Sequence, residues 1–217
     1  CYNLLGSFLS PLRNKRTDDY SAFRAETRTR LIEEVMGELK SRAGRDFPVT
    51  LSISGYERVP GGRSLDDTQR LAPQLVAAGV DAFRVSGGIS DSLVTMMVGR
   101  SDYGAAHNIA QAEAIKNGVD VPVILVGRIH DPELAEDILA NGQADLIAMA
   151  RPLLADPYLP EKVTRGRPER IRRCISCENC IDSMQTHDNL GCAVNAFSGR
   201  ETELQISKGS KTVAIVG

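Results

Sequence analysis

The chain has 217 residues, 42% of them hydrophobic and 25% charged, with a net charge of −2. Such a chain is long and apolar enough for a packed core, and it has no basic excess to suggest nucleic acid. No apolar run approaches the ~20 residues of a membrane span, and no secretory leader is visible, so the expectation is a cytoplasmic protein with a small-molecule partner.

Residues 1–20 read as an irregular stretch in which apolar anchors alternate with charges, and Arg13, Lys15 and Arg16 read as a solvated run. From Glu26 to about Arg42 the period is helical, with Leu31, Val35 and Leu39 on one face and Ile32 and Met36 beside them. Val49 to Ser54 alternates as a strand, with Leu51 and Ile53 on one side. Pro60-Gly61-Gly62 is a turn, and Ser64 caps a second helix with Asp67 as its capping-box partner. Pro73 predicts a kink in that helix, and Gly79 ends it.

Ala82 to Val85 reads as a buried strand closing on Ser86-Gly87-Gly88. Met96, Met97 and Val98 read as loop packing, and His107, His130 and His187 as surface, cap or loop residues. Ile109 to Lys116 is a helix and Val121 to Val126 an apolar strand ending at Gly127-Arg128. Asp131-Pro132-Glu133 starts a capped helix running to Asn141-Gly142. Asp145 to Met149 is the next strand, ending at Ala150-Arg151-Pro152, with a further helical segment between Leu153 and Arg165. Alternation of this kind implies parallel strands joined by helical crossovers. Four such units suit half of a βα barrel or an open doubly wound sheet.

In either architecture ligands bind beyond the carboxyl ends of the strands. Two adjacent ends carry one signature, an apolar strand, a small residue and an arginine: Gly127-Arg128 and Ala150-Arg151. Small residues let a ligand approach the backbone, and arginines add charge, so a phosphate site is one reading. The other is that both arginines cover the end of the sheet and bond to carbonyls or carboxylates.

Cys174, Cys177, Cys180 and Cys192 follow, at the spacing C-x2-C-x2-C-x11-C. Three thiols two residues apart do not pair readily as disulfides. A loop turning around one centre directs all three inward, as iron–sulfur clusters require, and the fourth closes the set. A four-thiolate zinc site and a redox disulfide set are the alternatives. Both ends read as cut. The chain starts at Cys1 without methionine, and Lys211 to Gly217 is a β-branched run stopping where a dinucleotide-binding turn would begin.

With these pieces in place the chain resembles the old yellow enzyme family. Within it, the likeness is to the flavin and iron–sulfur branch that includes 2,4-dienoyl-CoA reductase, 2-enoate reductases and trimethylamine dehydrogenase. Four blocks carry the resemblance: Phe8-Leu9-Ser10-Pro11 through Tyr20, the strand-end segments Val123 to Ile129 and Ala150 to Pro157, the cysteine segment through Glu201, and Lys211 to Gly217. The spacing between the second and third cysteines is closer to the amine dehydrogenase form.

The fold implied is α/β: the C-terminal half of a TIM (β/α)8 barrel over residues 1–166, from about the end of strand four to strand eight. A 4Fe-4S cluster loop follows over 167–205, and the first strand of a Rossmann-like domain over 206–217. The resemblance implies FMN at the strand ends, with Gly127, Arg128, Ala150 and Arg151 in its phosphate loops, and a 4Fe-4S cluster on Cys174, Cys177, Cys180 and Cys192. FAD and NAD(P)H belong to the part beyond residue 217.

The function implied is transfer of electrons between NAD(P)H or a second flavin and an enoate or enone. N-methyl amine dehydrogenation, a non-catalytic electron-transfer module and a zinc-stabilised module are the alternatives, and a homo-oligomer is open. Three positions depart from the reductase pattern. Asn3 stands where a proton-donating tyrosine is expected, beside Tyr2, and an amide cannot donate a proton as a phenol does. Ser52 stands where a strand arginine meets the flavin ring, and loss of that cation should lower the flavin potential. Ser21-Ala22 replaces a glycine pair.

Overall fold

The computed structural model describes residues 4–89, 91–92, 99, 101–186, 189–204, 209–210, 212 and 214. Tyr2 and Asn3 lie outside these residues. So do Met96, Met97, Val98, His187 and all of the expected final strand except Thr212 and Ala214.

Four strands, β1 (Thr50–Ser54), β2 (Ala82–Ser86), β3 (Val123–Val126) and β4 (Leu146–Ala148), form one parallel sheet in the order β1-β2-β3-β4. Each strand adds beside its predecessor. A doubly wound sheet reverses direction at a switch point, whereas an arc of a barrel grows one way only. The order therefore selects the barrel arc over the open sheet.

Among the described residues, seven helices accompany the barrel part: α1 (Leu4–Leu9), α2 (Ala25–Arg28), α3 (Arg30–Ala43), α4 (Leu65–Ala77), α5 (Ile109–Lys116), α6 (Pro132–Ala140) and α7 (Arg151–Ala155). Beyond them are α8 (Leu159–Thr164), a 3-10 turn at Pro168–Arg170, and α9 (Asn179–Gln185). No described helix is long and apolar enough to cross a membrane.

Strand alternation sorts the two faces of the sheet. Leu51, Ile53, Phe83, Val85, Val123 and Leu125 point into a core shared with Ile32, Met36, Leu71, Leu75, Ile115 and Ile138 of the helices. The opposite face carries the row Ser52, Arg84, Ile124 and Leu146, aligned across all four strands. That row ranges from half-buried to exposed, and Leu146 is 49% exposed.

Several expectations about the helices are corrected. Residues 4–9 are helical, not irregular. The expected long helix breaks at Thr29, whose buried side chain bonds to Glu33 and Gln74, so α2 and α3 are separate. On α3 the buried residues are Ile32 and Met36, while Val35 is 39% exposed. The apolar stripe was placed about one residue off the true face, because two overlapping i, i+4 series run along this helix. β3 and β4 are shorter than expected.

Other local signals hold. The Ser64–Asp67 capping box forms, and Asp131 caps α6 by accepting from the Glu133 N–H at 3.1 Å. The chain stays helical through Pro73.

At the amino ends of the strands one device appears twice. The Asp81 carboxylate accepts from the Val49 N–H at 2.7 Å and from Lys40 at 2.6 Å. The Asp145 carboxylate accepts from the Val123 N–H at 2.8 Å and from Lys116. Each aspartate precedes a strand and ties it to the strand before. Both carboxyls sit below their ordinary range, first because of the lysine hydrogen bond. Stability of this kind belongs at the end of a barrel remote from ligands.

Candidate functional site

At the carboxyl ends of β2, β3 and β4 lies a cavity of about 250 Å³. It is lined by Arg84 and Ser86 from β2, Gly127, Arg128 and His130 after β3, and Ala150 and Arg151 after β4, with Asn108 at its wall. Both predicted small-residue–arginine pairs therefore meet in one place. Its described lining includes three guanidinium groups and no carboxylate, so the cavity favours an anion.

Asn108 holds the strand ends together. It is almost wholly buried; its Nδ2 donates to the Val126 carbonyl at 2.7 Å, and its Oδ1 accepts from the Arg58 guanidinium at 2.8 Å. Gly127 has φ of +145°, and a Cβ there would lie 2.5 Å from Asn108 Nδ2. A Cβ on Gly87 would lie 2.6 Å from Asn108 Oδ1. The glycines at two strand ends are thus required by the same amide. Sequence reasoning noticed the glycines and missed Asn108, which has the look of an ordinary helix-start residue.

Both arginines line the cavity, and both bond to backbone carbonyls. Arg128, in the left-handed region at φ +51°, lines the cavity and donates to the Tyr103 carbonyl and, at 3.3 Å, to Ser176 Oγ. Arg151 donates to the Gly99 carbonyl at 3.1 Å.

His107 and His130 are not surface residues. Both are half-buried; His130 lines the cavity, and His107 sits against Tyr103 with ring centroids 6.1 Å apart. Burial, then Arg58, Arg151 and Arg128, lowers His107 to about 4. Burial, then Arg151 and Arg128, lowers His130 to about 4. Both imidazoles are neutral at pH 7, which leaves the positive charge of the cavity to arginine.

Ser52 does not line the cavity. Its hydroxyl accepts from Arg84 Nε at 2.8 Å, across the β1–β2 register, so it reaches the cavity through Arg84.

The four cysteines are free thiols around one small pocket behind Arg151. Ser176 and Glu178 have φ of +55° and +64°. These two left-handed residues curl the chain, and Cys174, Cys177, Cys180 and Cys192 all line the same pocket. The Ser176 N–H points to Cys174 Sγ at 3.5 Å. Burial pushes the Cys180 thiol up, and Arg151 opposes it. Among the described residues, no three His, Cys, Asp or Glu side chains are grouped so as to hold a metal ion. The donor set itself, four unpaired thiols with Glu178 the one carboxylate in the pocket wall, has the chemistry of a thiolate-bound iron or zinc centre.

The cysteine segment is stitched onto the strand ends. Besides Arg128–Ser176, the buried Asp156 carboxylate accepts from the Arg172 N–H at 2.8 Å, Arg173 pairs with Asp131 at 2.7 Å, and Asn195 donates to the Leu154 carbonyl at 2.8 Å. A loop was expected throughout; α9 begins at Asn179 and carries Cys180 in its first turn.

A second buried network lies in the loop after β1 and ties it to Ser10 in the loop after α1. Glu57 and Arg63 are each almost completely buried. Glu57 Oε2 accepts from Ser10 Oγ and from the Arg63 N–H, both at 2.7 Å, while its Oε1 lies 3.7 Å from Arg63 Nε. Arg63 also donates to Thr68 Oγ1 and to the Ser54 carbonyl, both at 2.8 Å. Burial pulls the Arg63 guanidinium below its usual range. In the loop itself Asn14 bonds to the Phe8 and Tyr20 carbonyls, and Arg13 pairs with Asp91, so this is a built loop more than a solvated run.

Comparison with known proteins follows the same lines. Residues 2–170 match the signature of the NADH:flavin oxidoreductase / NADH oxidase family. An NADH oxidase of Thermoanaerobacter brockii is 39% identical over 99% of this chain and 33% of its own length. A cinnamate reductase of Clostridium sporogenes is 37% identical over 99% of this chain and 34% of its own. Among solved structures, a 2-naphthoyl-CoA reductase in complex with 2-naphthoyl-CoA superposes with a TM-score of 0.86 at 30% identity, covering 92% of this chain and 30% of that one. The chain spans about a third of the length of the curated relatives it matches.

Proposed function

The chain belongs to the NADH:flavin oxidoreductase / NADH oxidase family, and we propose that it is the part of a larger oxidoreductase that joins an FMN site to a 4Fe-4S cluster. The observation that carries the reading is the meeting of Gly127-Arg128 and Ala150-Arg151 in one carboxylate-free cavity, with the four thiols directly behind Arg151. Arg128 and Arg151 would hold the FMN phosphate, and Gly127 would let it approach the backbone. Cys174, Cys177, Cys180 and Cys192 would hold the cluster. When bound, the flavin would exchange hydride with substrate and single electrons with the cluster.

The chain's own residues keep the site cationic. His107 and His130 remain neutral, Asn108 fixes the strand ends, and Ser176 couples the cysteine loop to Arg128. The substrate of the whole protein is proposed to be an enoate or enone, reduced with electrons from NAD(P)H. The test is cofactor content and turnover of the full-length protein purified without oxygen. One FMN with about four irons and four sulfides per chain, and NAD(P)H oxidation driven by an α,β-unsaturated acid, are expected. Turnover of an N-methyl amine instead would reassign the substrate class, and protein lacking both FMN and iron would overturn the reading.

A further inference from the structure

Arg84 is the one guanidinium in the cavity that does not follow a strand end. It lies within β2, two residues before Ser86, on the sheet face turned away from the core. Arg128 and Arg151 stand beyond the ends of β3 and β4. Two residues of strand correspond to about 7 Å, so the cavity has an outer positive level and an inner one. An anion held at the outer level leaves the inner charge unmatched.

The inner level is built, not accidental. Arg84 is the cross-strand partner of Ser52, and its Nε donates to Ser52 Oγ at 2.8 Å. That bond uses the Nε–H of a side chain that lines the cavity, and a guanidinium has four further N–H donors. On its other flank stands Ile124, which offers no acceptor side chain. A ligand that satisfies both levels carries an anion at one end and, about one strand step deeper, a group that gains negative charge.

We propose that Arg84, oriented by Ser52, stabilises the negative charge of the reduced FMN ring. The inference rests on the FMN reading above. Two electrons arriving one at a time by way of the cluster, with one proton from solvent, would leave the bound ring with one negative charge. A guanidinium beside the ring binds that form more tightly than the neutral oxidised form and so raises the two-electron potential. The cation missing at Ser52 is thereby supplied from the neighbouring strand, and the serine has become its tether.

The test uses full-length protein and compares Arg84→Gln, Arg84→Lys and Ser52→Ala with the parent by anaerobic redox titration and by FMN affinity in each redox state. Arg84→Gln should retain oxidised FMN within a few-fold, and weaken reduced FMN about tenfold more, equivalent to a potential lower by about 30 mV. Arg84→Lys should recover most of the shift, and Ser52→Ala should give a smaller shift in the same direction. An Arg84→Gln protein that binds FMN with an unchanged potential overturns the assignment of Arg84 and leaves the FMN site standing. A parent protein that binds no FMN overturns both.

Discussion

Glu57→Gln tests the buried network directly. The substitution keeps the shape of the side chain and removes its charge, leaving Arg63 fully buried opposite an amide. With 3.7 Å between Arg63 Nε and Glu57 Oε1, the attraction lost is about 4.5 kcal/mol at an effective dielectric of about 20. The guanidinium keeps its bonds to Thr68 and the Ser54 carbonyl, so the residual desolvation is partly relieved. Breaking a buried pair from one side typically costs about 3–5 kcal/mol, and the lower half of that range is expected here. In a urea titration of the full-length protein followed through the barrel transition, a slope of about 2 kcal/mol per molar turns 3–4 kcal/mol into a midpoint lower by about 1.5–2 M. Pairing the change with Arg63→Met should recover part of the loss, because no unpaired charge then remains. A Glu57→Gln midpoint within about 0.4 M of the parent would mean that Arg63 is not held charged in a dry site, and the account of the loop after β1 would fail.

Further expectations concern the site. Gly127→Ala places a Cβ against the Asn108 amide in a backbone region that only glycine adopts readily. It should cost about 2–4 kcal/mol and lower FMN content measured after purification; Gly104→Ala, with open space around its Cβ, should do neither. Cys177→Ser, at an exposed cysteine of the proposed ligand set, should reduce iron and sulfide sharply while the circular dichroism of the barrel is kept. Full iron content would remove Cys177 from the ligand set. His107 and His130 have folded values near 4 against an ordinary 6.5. The unfolded chain therefore binds more protons between these values, so their contribution to stability is complete above about pH 6.5 and declines as pH falls toward 4. His130→Gln should flatten the denaturation midpoint over that range, and an unchanged slope would contradict the assigned burial.

Much of the fold was legible because strands and caps are local. The Ser64–Asp67 box, the Asp131 cap and the alternation of Leu51 and Ile53 each follow from a few neighbouring residues. The meeting of Gly127-Arg128 with Ala150-Arg151 was legible for a topological reason: parallel strands bring all their carboxyl ends to one side. What escaped was set by distance in sequence. Asn108 acts on Val126 and Arg58, and Glu57 on Ser10 and Arg63, and each looks unremarkable among its own neighbours. Lone histidines read as surface residues because nothing nearby in the chain encloses them; the arginines and the Tyr103 ring that do so arrive from other segments. The bond between Ser52 and Arg84 escaped because the two lie on different strands.

Arg151 lines the strand-end cavity on one side and the cysteine pocket on the other. If each cavity holds a redox centre, one fixed charge serves as a common electrostatic reference for both. It raises both potentials together, so the gap between them, which drives electron transfer, changes less than either value. Replacing it with a neutral residue would move the pair downward against external donors and acceptors while largely preserving the internal step.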